Sequence, residues 1–170
     1  MASKRQRDMY VDLDTRMRRL EVPAAAGAVA PAAAGAAVAA SEATATDAEA
    51  RAYEAAQGQR KIGNYQGAIA GFRNFIAQYP KSTLSHRAQY WIGDSYYNLR
   101  DFKNAIASQQ RLISAYPESA SVPDALLNIA SSQLELGDAA AARRTLDGLI
   151  ARYPASEAAD KARRRLATLK

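Results

Sequence analysis

The sequence predicts an all-α fold, a right-handed superhelix of three stacked helix pairs closed by one further helix. Three marks that share one step carry that expectation. Tyr79-Pro80-Lys81-Ser82 returns as Tyr116-Pro117-Glu118-Ser119 and as Tyr153-Pro154-Ala155-Ser156, each copy 37 residues after the last. Gly63-Asn64-Tyr65, Arg100-Asp101-Phe102 and Gly137-Asp138-Ala139 keep the same step, as do Ala68-Ile69, Ala105-Ile106 and Ala142-Arg143. A period of 20 to 50 residues is the signature of stacked repeats.

Each pair follows from local chemistry. A helix starts near Thr46-Asp47, with Asp47 as its cap. Ala52, Tyr53, Ala55, Ala56 and Gln59 give it a small-residue stripe, and Gly63-Asn64-Tyr65 breaks it. Ala68, Ile69, Phe72, Phe75 and Ile76 form the stripe of a second helix ending at Tyr79-Pro80. Proline stops that helix because it lacks an N–H and its ring clashes with the preceding turn. Ser82 is expected to cap the next helix. The second unit runs through Ala88, Trp91, Ile92, Gly93 and Tyr96, then Ala105, Ile106, Leu112 and Ile113. The third runs through Leu126, Ile129, Ala130 and Gln133, then Ala142, Leu146, Leu149 and Ile150. After Ser156, the run Ala158, Ala162, Leu166, Leu169 makes a lone helix. Its other face carries Lys161, Arg163, Arg164, Arg165 and Lys170, a polar side suited to closing a solenoid.

Two segments precede the repeats. In residues 1–21, Tyr10, Leu13, Met17 and Leu20 keep the 3, 4, 3 spacing of a coiled coil, and Asp12 to Arg16 and Asp14 to Arg18 are favourable i, i+4 pairs. The segment reads as the end of an oligomerisation helix. Residues 22–47 form an Ala/Pro/Gly-rich linker in which Pro23-Ala-Ala-Ala-Gly27 recurs as Pro31-Ala-Ala-Ala-Gly35. No charge falls between Val22 and Ser41, yet recurring Pro and Gly among weakly apolar alanines argue against a membrane span. The repeat domain then occupies 48–170, with repeats at about 48–82, 83–119 and 120–156 and the closing helix at 157–170.

The repeats resemble the tetratricopeptide family. That pattern places a small residue on the first helix, Gly and an aromatic at the turn, Ala on the second helix and Pro at its end. Here it reads Ala56, Gly63, Tyr65, Ala68, Pro80, then Gly93, Arg100, Phe102, Ala105, Pro117, then Ala130, Gly137, Ala139, Ala142, Pro154. Arg100 departs from Gly, Ala139 from an aromatic, and 37 residues from the usual step of about 34. The wider layout resembles the bacterial periplasmic cell division coordinator of the Tol-Pal system. It carries a short coil through Gln6-Arg7-Asp8-Met9-Tyr10, a small-residue linker, and repeats opening on Ala52-Tyr53-Glu54-Ala55-Ala56. That resemblance implies a homotrimer formed by the N-terminal coil and a periplasmic location. It implies as partners the Tol-Pal energy-transducing protein and the peptidoglycan synthesis machinery. Its implied role is to link that synthesis to outer-membrane constriction during division. Residues 1–21 are charged and carry no apolar run of the kind a secretory signal has, so the sequence as given shows no such signal.

Chemistry is sparse. The chain has no Cys and one His, His86, so neither a disulfide framework nor a clustered metal site is expected. No Gly-rich phosphate loop or catalytic constellation can be assembled, and the expectation is a non-enzyme without cofactor. What remains is a surface. In stacked pairs the first helices line the inner face. The 37-residue register places Tyr53, Gln57 and Arg60 there, then Arg87, Tyr90, Asp94, Tyr97 and Asn98, then Asp124, Leu127, Ser131 and Leu134. Tyrosines beside hydrogen-bonding groups suit peptide capture, since the ring offers area at low entropy cost and a polar tip. The basic clamp that some repeat domains use for acidic C-terminal peptides is not evident in these positions. Net charge is +6, and residues 51–170 carry seventeen Lys/Arg against ten Asp/Glu. A pI near 9.7 motivates the rival reading, a cytoplasmic scaffold binding nucleic acid or a ribonucleoprotein. No aromatic residues interleave with the basic run Arg163-Arg164-Arg165, as single-strand binding would want, so no nucleic acid partner is expected.

Overall fold

The computed structural model describes residues 46–169, and within them every regular element is an α-helix. The helices are α1 Asp47–Lys61, α2 Tyr65–Gln78, α3 Ser85–Asn98, α4 Phe102–Ala115, α5 Val122–Glu135, α6 Ala139–Arg152 and α7 Glu157–Thr168. The coil positions Tyr10, Leu13, Met17 and Leu20, and the linker up to residue 45, lie outside the described residues. Each helix packs on its neighbours in sequence. In addition α3 packs on α5 and α5 on α7, with no comparable packing among α2, α4 and α6. The first helices therefore converge on the inner side of the stack and the second helices splay along its outer side.

The turn inside each pair is built the same way three times. Gly63, Arg100 and Gly137 have φ of 82°, 62° and 82°. Their N–H groups donate to the carbonyls of Arg60, Tyr97 and Leu134, and the next N–H reaches back to Gln59, Tyr96 and Gln133. That pair of bonds is the Schellman closure, which needs a left-handed residue at this point. The following residue then caps the second helix. Asn64 accepts from Gly67 N at 3.0 Å, Asp101 from Asn104 N at 3.2 Å and Asp138 from Ala141 N at 2.9 Å. Two residues thus end one helix and start the next.

The joins between pairs and the first helix depart from expectation in three places. Tyr79, Tyr116 and Tyr153 do end the second helices, each N–H bonding four residues back. Ser82 and Ser119, however, do not cap the next helix. Their hydroxyls accept from Leu84 N and Ser121 N, two residues on, and α3 and α5 begin after that tight turn with no side-chain cap. Only Ser156, immediately before α7, caps in the expected way, accepting from Ala159 N at 3.1 Å. Likewise Thr46, not Asp47, caps α1; its hydroxyl accepts from Glu49 N while Asp47 sits in the first turn, where a carboxylate favours the helix dipole. Ala55, expected in the α1 stripe, is exposed.

Three buried clusters run through the stack. Phe72 and Phe75 anchor the first, edge-on to the Tyr53 ring at 5.5 and 5.7 Å. Leu112, Val122 and Ala125 form the second; Leu146 and Leu149 anchor the third. Gln109 occupies the position that Phe72 and Leu146 hold in the other units, and it is fully buried. Its Nε2 donates to Tyr90 O at 3.1 Å, and Gln89 Nε2 answers by donating to Ser108 O at 2.9 Å. The α3–α4 pair is joined by a reciprocal amide bridge where its neighbours use apolar contact.

Arg100 is the strained member of the three turns, because a side chain at positive φ costs about 1–2 kcal/mol. Replacing it with glycine, as in the sister turns, is expected to raise stability by up to about 1 kcal/mol after the entropy of the freer unfolded chain is subtracted. Urea unfolding followed by circular dichroism measures it; a lower midpoint would show that Arg100 makes a compensating contact.

Candidate functional site

Helices α1, α3 and α5 carry the positions that the 37-residue register aligns. Tyr53, Tyr90 and Leu127 form one row across the three pairs, Gln57, Asp94 and Ser131 a second, and Arg87 and Asp124 part of a third. Among the predicted residues the structure brings together Tyr53, Gln57, Arg60 and Asp94. Gln57 Nε2 donates to the Tyr53 hydroxyl at 3.1 Å, and Arg60 Nε donates to Gln57 Oε1 at 2.9 Å. The Arg60 guanidinium stands 3.7 Å from Asp94 Oδ2, an ion pair that ties α1 to α3.

The residue at the centre of this network is Trp91. Its indole N–H donates to the Tyr53 hydroxyl at 2.8 Å, the Arg60 guanidinium lies 3.9 Å from its ring centroid, and the Tyr90 ring meets it edge-on at 5.0 Å. The sequence sets Trp91 among the stripe residues of the first helix of the second unit, and it does pack against the first core cluster, but its polar contacts are not among the wall positions read from the register. The register carried the missed signal, because the same position holds Glu54 in the first unit and Asn128 in the third. Trp91 is half-buried there, packed against the first core cluster on one side and joined to the polar network on the other. With two N–H donors on its oxygen, Tyr53 keeps its own O–H as the group left for a ligand's carbonyl or carboxylate.

Farther along, Tyr90 is half-buried against Leu112 and Val122. Burial first, then the carboxylates of Asp94 and Asp124, pushes its hydroxyl well above the usual phenol range, so it keeps its proton and remains a neutral O–H group. Burial likewise raises the Asp94 carboxyl, with Arg60 pulling the other way. At the far end Ser131 donates to Leu127 O at 2.9 Å and accepts a hydrogen bond from Arg165 of α7. Arg165, expected on the solvated side of the closing helix, is therefore half-buried and terminates the wall. Tyr97 and Asn98 lie toward the α3–α4 turn. Tyr97 packs edge-on to Phe102 at 5.4 Å, and both residues line a separate cleft with Arg100 and Glu135. Arg87 is exposed, and Leu134 is half-buried.

Among the described residues no group of His, Asp and Glu is placed to hold a metal, and no helix is long and apolar enough to cross a membrane. His86 packs edge-on to Tyr116 at 6.4 Å, and burial, then Arg87, lowers its pKa.

Paired helices at this spacing, with Schellman turns and converging first helices, define a tetratricopeptide-type repeat domain. The family described as YfiO, outer membrane lipoprotein, matches residues 45–170, and the chain belongs to it. Two solved structures share the fold. The TPR2B domain of yeast Sti1, in a complex with an Hsp70 peptide, superposes with a TM-score of 0.57 at 18% identity, over 68% of this chain and 90% of that one. The second TPR domain of human RPAP3, bound to the HSP70 peptide SGPTIEEVD, gives 0.55 at 14% identity, over 71% and 98%. At these identities the likeness is one of fold. No curated protein matches the chain significantly.

Trp91→Phe keeps a ring under Arg60 but removes the bond to Tyr53, and is expected to cost about 1 kcal/mol. Trp91→Ala also removes the stack and the packing, and is expected to cost about 2–4 kcal/mol. Urea unfolding by circular dichroism checks both; equal, negligible losses would remove Trp91 from the network.

Proposed function

We propose that the chain is a non-enzymatic adaptor of the cell envelope whose inner wall holds a segment of a partner protein. The observation that carries this reading is the Tyr53–Trp91–Arg60–Asp94 network. Its bonds are formed without a ligand, and it leaves the Tyr53 O–H as a donor beside the Trp91 and Tyr90 rings. Preordered aromatic groups lower the entropy lost on binding. The family description, outer membrane lipoprotein, supports an envelope location. The two fold relatives, each solved with an Hsp70-derived peptide, support peptide capture by this architecture.

The finer reading takes its support from the order of coil, small-residue linker and long repeats. In it, the adaptor coordinates peptidoglycan synthesis with Tol-Pal-driven outer-membrane constriction during division, in the periplasm. Tyr10, Leu13, Met17 and Leu20 join it into a homotrimer. Tyr53, Gln57, Arg60, Arg87, Tyr90, Asp94, Leu127 and Ser131 form the docking wall, with Tyr97 and Asn98 at its rim.

Calorimetric titration with the energy-transducing protein of the Tol-Pal system tests this. Tyr90→Ala and Leu127→Ala are expected to weaken binding about tenfold each, with an unchanged helical spectrum, as central interface residues do. Tyr97→Ala is expected to change affinity less than threefold, roughly 0.6 kcal/mol. Binding that ignores Tyr90 and Leu127 would move the contact elsewhere, and no binding at all would remove the Tol-Pal assignment.

A further inference from the structure

The positive charge of the repeats is sorted by face. The second helices carry Arg73 on α2, Lys103 and Arg111 on α4, and Arg143, Arg144 and Arg152 on α6, against Asp147 as their one acid. The first helices α1, α3 and α5 carry four Lys/Arg and six Asp/Glu. Since the second helices splay along the outer side, the stack is mildly acidic within and strongly basic without. None of the six outer cations makes an ion pair among the described residues.

These cations also rim clefts. One cleft, about 280 Å³, lies between α2 and α4 and is floored by α3: Arg73 and Arg111 stand at its edges, Ile76, Ala77 and Ile92 line it, and Gln89 sits at its base. Tyr96 holds Arg73 in place, accepting from its guanidinium at 2.7 Å. The next cleft, about 330 Å³, lies over α5 and α6, with Arg144 and Arg152 at its rim and Leu126, Gln133 and Thr145 within. The two clefts share two register positions, Gln89 with Leu126 and Arg111 with Gly148, but the arginines at their rims come from different positions of the repeat.

We propose that this outer face is a second docking surface, and that its occupant is an acidic protein segment carrying apolar side chains. Charge complementarity selects the acid, since unpaired arginines on both rims offer forked donors to carboxylates. The apolar floor selects a protein over the other polyanions. A lipid headgroup layer would meet the ridges and leave Ile76 and Ala77 uncovered, and a nucleic acid would bring phosphates with nothing to fill the cleft. A helix with acidic flanks and an aliphatic stripe satisfies floor and rim together. The surface is independent of the inner wall, so the two can be occupied at once.

Fluorescence anisotropy with the full chain tests it. The probes are a dye-labelled helical peptide with glutamates flanking a leucine stripe, its glutamine counterpart, phosphatidylglycerol vesicles and single-stranded RNA. The glutamate peptide is expected to bind. R73E/R111E and R144E/R152E are each expected to weaken it about tenfold, and the neutral pair R73Q/R111Q by less; about 1.4 kcal/mol corresponds to tenfold. Tyr90→Ala is expected to leave it unchanged, which separates this face from the inner wall. Failure of the glutamate peptide to bind, equal binding of the glutamine peptide, or indifference to the charge reversals would overturn the proposal. So would vesicles or RNA binding more tightly than the peptide with the same dependence on these arginines. Circular dichroism of each variant confirms that it is folded, and the neutral pair supplies the comparison if a reversal is not.

Discussion

The structure depends on how closely the two helices of a pair approach. At Gly71, an added Cβ would lie 2.9 Å from Ala56 Cβ and 3.3 Å from its Cα. At Gly93, which stands where Ala56 stands in the first unit, it would lie 2.5 Å from the buried Gln109 side chain. Such contacts leave no slack, and the distance between first and second helix fixes how far the next pair rotates. That rotation brings α1 near α3 at Trp91 and sets Arg60 within reach of Asp94. The inner wall is a consequence of small residues on the sides of the helices that face away from it.

The same constraint explains why the middle unit tolerates amides in its core. With Gly93 opposite, there is room for Gln109 where Phe72 and Leu146 fill the sister units. The cost is a buried Oε1 without a partner among the described residues, about 1–3 kcal/mol. The bonds from Gln109 to Tyr90 O and from Gln89 to Ser108 O offset part of it and fix the pair in one register. Buried polar groups of this kind specify geometry better than they stabilise it. Here the specified geometry is that of α3, the helix that carries Trp91, Tyr90 and Asp94.

Much of this was legible in the chain. The 37-residue step placed all seven helices, because a solenoid repeats its stop and start chemistry along with its core. The turn marks were legible as breaks. That Arg100 adopts the conformation of its glycine counterparts follows from the Schellman bonds its neighbours make, which outweigh the side-chain cost. The Ser82 and Ser119 caps were misplaced because a hydroxyl can serve an N–H two or three residues on, and composition does not choose between them. The register aligned Tyr53, Gln57, Arg60 and Asp94 on the first helices, and these four side chains are linked to one another in the structure. Trp91 was missed as a member of the polar network because an aromatic on a helix reads as core, and only Glu54 and Asn128 at the sister positions point to its polar side. Arg165 was missed because its partner, Ser131, lies one repeat away. The sorting of charge between faces was invisible in the net total, since it requires knowing which helices converge.

The most direct test of the crossing constraint compares two glycine-to-alanine changes by urea unfolding, read through Trp91, the chain's single tryptophan. Gly148→Ala meets nothing within 4 Å and should stabilise by up to about 1 kcal/mol through helix propensity alone. Gly71→Ala should instead lose about 1–3 kcal/mol from overpacking, and its folded emission should shift to longer wavelength as α1 is pushed off Trp91. A Gly71→Ala midpoint that rises as the Gly148→Ala midpoint does, with Trp91 emission unmoved, would contradict the claim that this contact sets the inner wall.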